Sequence, residues 1–135
     1  MQRYRPRSIS VLALMVAWMA HRLAAINFIG GLGEPGLPES WAVVFYFDLL
    51  IGGTAPFLAA MVFRARGLMV WTLAVAWSVF GLATYGAAFI LDRVDPWTSA
   101  PDWLIYVLYF GAALHLVSLF ILGAVSSRIY FLDKR

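Results

Sequence analysis

Cysteine is missing from all 135 residues, which excludes disulfides, thiolate metal centres and cysteine nucleophiles together. Its absence leaves the compartment open. Charge is scarce as well, with Asp, Glu, Lys and Arg making up 13% of the chain. A soluble domain of this length keeps much of its surface in water and needs polar residues to cover it. Here 63% of residues are hydrophobic and the mean hydropathy is +0.83, so the chain requires lipid as its solvent. The net charge of +3 and a pI near 9.6 would suit nucleic acid if the bases formed a stripe with interleaved aromatics. They gather instead at the ends of apolar runs, and nucleic acid is not expected as a partner. The alternating, roughly 10-residue strands of a membrane barrel are also missing. The fold class is therefore all-α.

Four apolar runs are long enough to cross the hydrocarbon layer, which takes roughly 20 residues at about 1.5 Å each. They cover residues 8–30, 41–63, 68–91 and 103–125, and one domain, an antiparallel four-helix membrane bundle, accounts for the chain. The breaks GGLGEPGLPES and DRVDPWTSAPD are rich in turn formers, while RARG leaves room only for a tight hairpin. Arg3, Arg5, Arg7, Arg64, Arg66, Arg128, Lys134 and Arg135 all fall on one side. Glu34, Glu39, Asp92, Asp95 and Asp102 share the other with the single base Arg93. Lys/Arg bias in short loops marks the cytoplasmic side, so both termini are expected there. Trp41, Trp97 and Trp103 would sit at the outer interface and Trp71 at the inner one. The opening RYRPR and the apolar run to Ala20 have the outline of a signal peptide. No small-x-small site precedes His21 and apolar character resumes at Leu23, so the segment is expected to remain as the first span.

The stretch WMAHRLAAINF places Arg22 inside the first span. Counting residues puts it about 12 Å below the outer end, with Asp48 of the second span about 10 Å below. A lone arginine or aspartate at helix centre costs about 2.5–3.5 kcal/mol even on the lenient insertion scale. Antiparallel neighbours at one depth relieve most of that by pairing, and an Arg22–Asp48 salt bridge is expected. Asn27, Thr84, Tyr85, Tyr106 and Tyr109 fall in the same half of the membrane. Two readings follow: a structural ion pair with interfacial tyrosines, or an outward-facing polar pocket lined by Arg22, Asn27, Asp48, Tyr85 and Tyr109.

His21 and His115 both lie near mid-membrane, on the small-residue faces Ala13/Ala17/His21/Ala24 and Gly111/His115/Ser118. Small residues allow close helix approach, so both imidazoles are expected to point inward and to hydrogen-bond between helices. Matched neutral imidazoles are also what a b-type haem needs, although haem requires helices held apart. In FDLLIGGTAPF, Gly52, Gly53 and Pro56 weaken the helix below Asp48, and a kink is expected, with Thr54 capping freed carbonyls. The glycines of GGLGEPG neither follow a strand nor precede a Walker lysine, so they form no phosphate loop. No carboxylates share a membrane face, and Ser118 beside His115 reads as packing. Neither catalysis nor a metal site is expected.

FDLLIGGTAPFLAAMVFRARG and the following WTLAVAWSVFGLATYGAAFILD together resemble small bacterial four-helix membrane proteins of unassigned function. An acid there opens a span ahead of a glycine- and proline-containing stretch, and a basic hairpin leads into a tryptophan-rich span. The resemblance covers about a third of the chain. It implies four helices in a bacterial inner membrane and supplies no activity. Three functional classes remain: a module binding or transporting a small polar or anionic molecule, an accessory subunit of a larger membrane complex or homo-oligomer, and a haem subunit using His21 and His115.

Overall fold

The computed structural model describes residues 5–132, and all its regular elements are helical. The first span, Arg7–Ile29, combines α1 (Arg7–Trp18), a 3₁₀ segment (Met19–Ala25) and α2 (Ile26–Ile29). A short 3₁₀ turn, Glu39–Trp41, leads into α3 (Ala42–Arg64), followed by α4 (Leu68–Val94), α5 (Leu104–Gly123) and α6 (Val125–Leu132). Four of these helices are long and apolar enough to cross a membrane, as their composition demands. Each span packs on its sequence neighbours, and the first closes the ring against the fourth. The chain is an all-α membrane protein with an antiparallel four-helix bundle.

At the face carrying both termini, Ile9, Leu12, Val16, Val62, Val70 and Leu122 form one apolar cluster. The α3–α4 hairpin on this face needs Gly67, whose φ of +114° other side chains rarely adopt. Gly67 also donates its N–H to the Phe131 carbonyl at 2.9 Å. That bond ties down α6, an element that the apolar count alone did not reveal. Its Tyr130 and Phe131 are buried in the same cluster, and the Arg66 guanidinium lies 4.3 Å from the Tyr130 ring centre. Of the eight bases assigned to this side, Arg5, Arg7, Arg64, Arg66 and Arg128 are described there; Arg3, Lys134 and Arg135 lie outside the described residues.

At the opposite, loop face a second cluster centres on Trp41, Phe45 and Trp97. Trp97 meets Phe28, Phe45 and Trp41 edge-on, with ring centres 4.9, 5.5 and 5.6 Å away. The Trp41 indole N–H donates to the Asp95 carbonyl at 2.9 Å, and the Ser40 hydroxyl to the Asp95 carboxylate at 2.7 Å. Trp41 and Trp97 are therefore buried rather than being loose interfacial anchors; Trp103 alone of the three is exposed. Stacking and satisfied N–H groups make such burial favourable.

Between these clusters lie a third, small apolar cluster of Met19, Ile51 and Ala55 and a polar waist of Arg22, Ser78, Thr84, His115 and Ser118, all buried. The second span stays helical through Pro56. Thr54 donates to the Leu50 and Ile51 carbonyls at 2.7 and 3.2 Å and accepts the Trp77 indole N–H at 3.0 Å.

Candidate functional site

The local winding of the first span decides where Arg22 points. Through α1 the buried residues Ile9, Leu12, Ala13 and Val16 keep α-helical spacing. From Met19 the buried residues are Met19, Arg22 and Ala25, three apart, as three residues per turn requires. An α-helix would turn about 300° from Met19 to Arg22 and about 400° to Leu23, favouring Leu23 on the buried face. The 3₁₀ winding turns about 360° over three residues and places Arg22 directly above Met19. Leu23 is consequently 43% exposed and Arg22 only 4%. Of the small-residue face expected from sequence only Ala13 is buried, because α1 already turns Ala17 outward before the 3₁₀ winding begins. Ala24 also faces outward, and His21 turns to the flank, where its Nδ1–H donates to the Trp18 carbonyl at 2.8 Å.

Close approach of the second span supports this segment. A Cβ added at Gly52 would lie 2.8 Å from the Leu23 backbone nitrogen, so the two backbones touch where glycine stands. Arg22 Nη2 then forms the expected salt bridge with Asp48 and donates to the Thr84 hydroxyl at 2.5 Å. Thr84 passes its own proton to the Gly81 carbonyl at 2.7 Å. The guanidinium carbon stands 4.2 Å from the Tyr85 ring centre, a cation–π contact of the kind that gains strength when desolvated. Arg22 Nε and Nη1, the Tyr85 hydroxyl and both ring nitrogens of His115 find no partner among the described residues.

Two more glycines seat the aromatic members of the waist. A Cβ at Gly81 would collide with the His115 imidazole, and one at Gly111 with the Tyr85 phenol. The His115 ring lies 5.1 Å from Trp77 and 5.8 Å from Tyr85, centre to centre. His115 thus points inward as expected, with Gly111 and Ser118 on its face. His21 is only half-buried and is bonded within its own span, whereas His115 is fully buried.

Arg22, Asp48 and Tyr85 line a cavity of about 80 Å³ together with Phe28, Phe45 and Trp97. Asp48 keeps 17% of its side chain accessible there. The rim is made by His21, Ala24, Trp103, Leu104 and Val107, on the flank between the first and fourth spans. Those spans pack through α1, whereas the 3₁₀ segment and α2 pack chiefly on α3, which leaves the cleft between them. Two of the expected lining residues are elsewhere. Tyr109 is 62% exposed on the outer surface of α5, beside Phe89, because the buried stripe Leu108/Gly111/His115 turns it outward. Asn27 is exposed and lines a separate loop-face depression of about 220 Å³ with Glu34 and Ser99. Phe28 and Trp97 wall both spaces and separate them. Thr84 joins the site through its bond to Arg22, a role that its depth alone hinted at.

Comparison with protein-family models, with curated proteins and with solved structures finds no match.

Proposed function

We propose that this protein binds, or carries across the membrane, a small anionic or polar group at the Arg22 cavity. One observation carries the reading: a nearly fully buried arginine borders a cavity while Asp48 and Thr84 occupy only one of its three nitrogens. Intramembrane ionisable residues that face the bundle interior commonly mark substrate or ion pathways, and a purely structural pair can often be replaced by apolar packing without loss of stability. Arginine keeps its charge at any physiological pH and suits carboxylate and phosphate oxygens. Size narrows the ligand. Drug-sized molecules occupy roughly 300–1,000 Å³, whereas about 80 Å³ admits a group of a few heavy atoms. The arginines Arg5, Arg7, Arg64, Arg66 and Arg128 on the terminal face support a cytoplasmic position for both termini, and the proposal places the protein in a bacterial inner membrane.

Acetate is a suitable first probe. Titrated into the protein in zwitterionic nanodiscs, it should bind saturably, seen as line broadening of ¹³C-acetate. Arg22→Lys, which keeps the charge and loses the planar fork, should weaken it about tenfold, or 1.4 kcal/mol. Broadening that never saturates, or that survives Arg22→Lys unchanged, would remove the basis for the reading.

A further inference from the structure

The geometry points to a more specific ligand for this site: a membrane-dissolved amphiphile with a carboxylate head, entering sideways from the bilayer between the first and fourth spans. The inference rests on the anion-binding reading above and adds to it the tail and the route.

Three observations combine. First, the way in from the loop face is walled. Phe28, Phe45 and Trp97 form that side of the cavity, in edge-on contact at 4.9 and 5.5 Å, and the water-side depression beyond shares only the Phe28 and Trp97 wall. Secondly, the accessible rim lies on the flank, where Ala24 and Trp103 are exposed and Leu104 and Val107 half-buried. In a bilayer this flank is in contact with acyl chains. The small side chain of Ala24 leaves the cleft open where a larger residue would fill it. Thirdly, polarity is graded from rim to floor. Apart from the half-buried His21 the approach is lined by apolar side chains, and the Arg22–Asp48 pair sits at the end, with Arg22 Nε and Nη1 unpartnered among the described residues and nine-tenths buried. An alkyl chain matches the approach and an anion matches the floor. A free inorganic ion would gain nothing from the apolar approach, and a carboxylate is the smallest anionic head that suits a space of about 80 Å³. A carboxylate on an unbranched chain satisfies both ends.

Palmitate, palmityl alcohol and acetate form the test, with the full chain in phosphatidylcholine nanodiscs. Palmitate should bind at least about 100-fold more tightly than acetate, and at least about tenfold more tightly than the alcohol, which has the tail without the charge. A palmitate analogue with a mid-chain diazirine should label peptides containing Ala24 and Val107 on illumination. Arg22→Gln leaves Asp48 alone in the membrane and is at risk of misfolding, so the charge-neutral pair Arg22→Gln with Asp48→Asn serves as the head-group variant; it should bring palmitate down to the affinity of the alcohol. Ala24→Phe leaves the ion pair in place and should block labelling by filling the rim. Saturable acetate binding without tighter palmitate binding would overturn the amphiphile and leave the anion site standing. Equal binding of palmitate and the alcohol, or labelling unchanged by Ala24→Phe, would also overturn it. Failure of both acetate and palmitate would remove the anion site as well.

Discussion

Asp48 carries a charge that its own helix cannot shelter, and nearly everything that makes it tolerable comes from Arg22. Truncating one member of a buried ion pair leaves the other uncompensated, at a cost of about 3–5 kcal/mol. Asp48→Asn should therefore lower the thermal midpoint in detergent sharply. Arg22→Gln combined with Asp48→Asn should cost less than the two single changes added together, because the residues are coupled. A midpoint for Asp48→Asn equal to that of the unsubstituted protein would contradict the pairing. The glycine seats make a second residue-level test. Gly81→Ala forces a methyl into the His115 ring, and overpacking of this kind costs about 1–3 kcal/mol. At Gly86, on the same helix, an added methyl would meet nothing within 4 Å, so Gly86→Ala should be neutral or up to about 1 kcal/mol stabilising. Identical melting of the two variants would mean that His115 is not seated on Gly81.

At the level of elements, the first span departs most from regularity. A 3₁₀ run of seven residues is long for a winding usually limited to three or four, and its hydrogen bonds are poorer. It is held by its neighbour: Gly52 lets the α3 backbone reach Leu23, and the ion pair fastens Arg22 to the same helix. Gly52→Ala should push the spans apart and speed amide exchange across residues 19–25. Gly53→Ala places its methyl no closer than 4.0 Å to Leu23 and should leave exchange there unchanged. If both variants exchange alike, contact at Gly52 does not hold the segment. The pairing of α6 with the hairpin follows a similar logic, since one backbone bond and the Tyr130–Arg66 contact bring a short helix back onto the bundle end.

For the whole molecule, an even number of spans places both ends on one face, and the charge bias proposes that this face is cytoplasmic. A reporter active only in the periplasm, fused after residue 135, should stay silent. The same reporter inserted in the loop between α4 and α5 should be active. The reverse pattern would invert the bundle and turn the cavity's half of the membrane toward the cytoplasm.

Composition and spacing were enough for the helical class, the four spans, the shared face of the termini, and the pairing of Arg22 with Asp48. Each depends on quantities that count along the chain: apolar length, charge position and depth at a fixed rise per residue. His115 was placed inward for the same reason, because α5 keeps regular winding and its Gly111/His115/Ser118 stripe stays in phase. His21, Asn27 and Tyr109 were not legible, and the causes differ. The first two lie within or beyond a segment whose winding changes from 3.6 to three residues per turn, which shifts the phase of every later side chain. That change is stabilised by α3, a partner distant in sequence. Tyr109 has the right depth and the wrong azimuth, and azimuth is set by which face of α5 meets α4. The cavity itself belongs to no single segment. It exists because the first and fourth spans pack along α1 and part beyond it, and because Phe28, Phe45 and Trp97, drawn from three separate stretches, stack into one wall. Such a space is a difference between packed surfaces, and only the assembled bundle defines it.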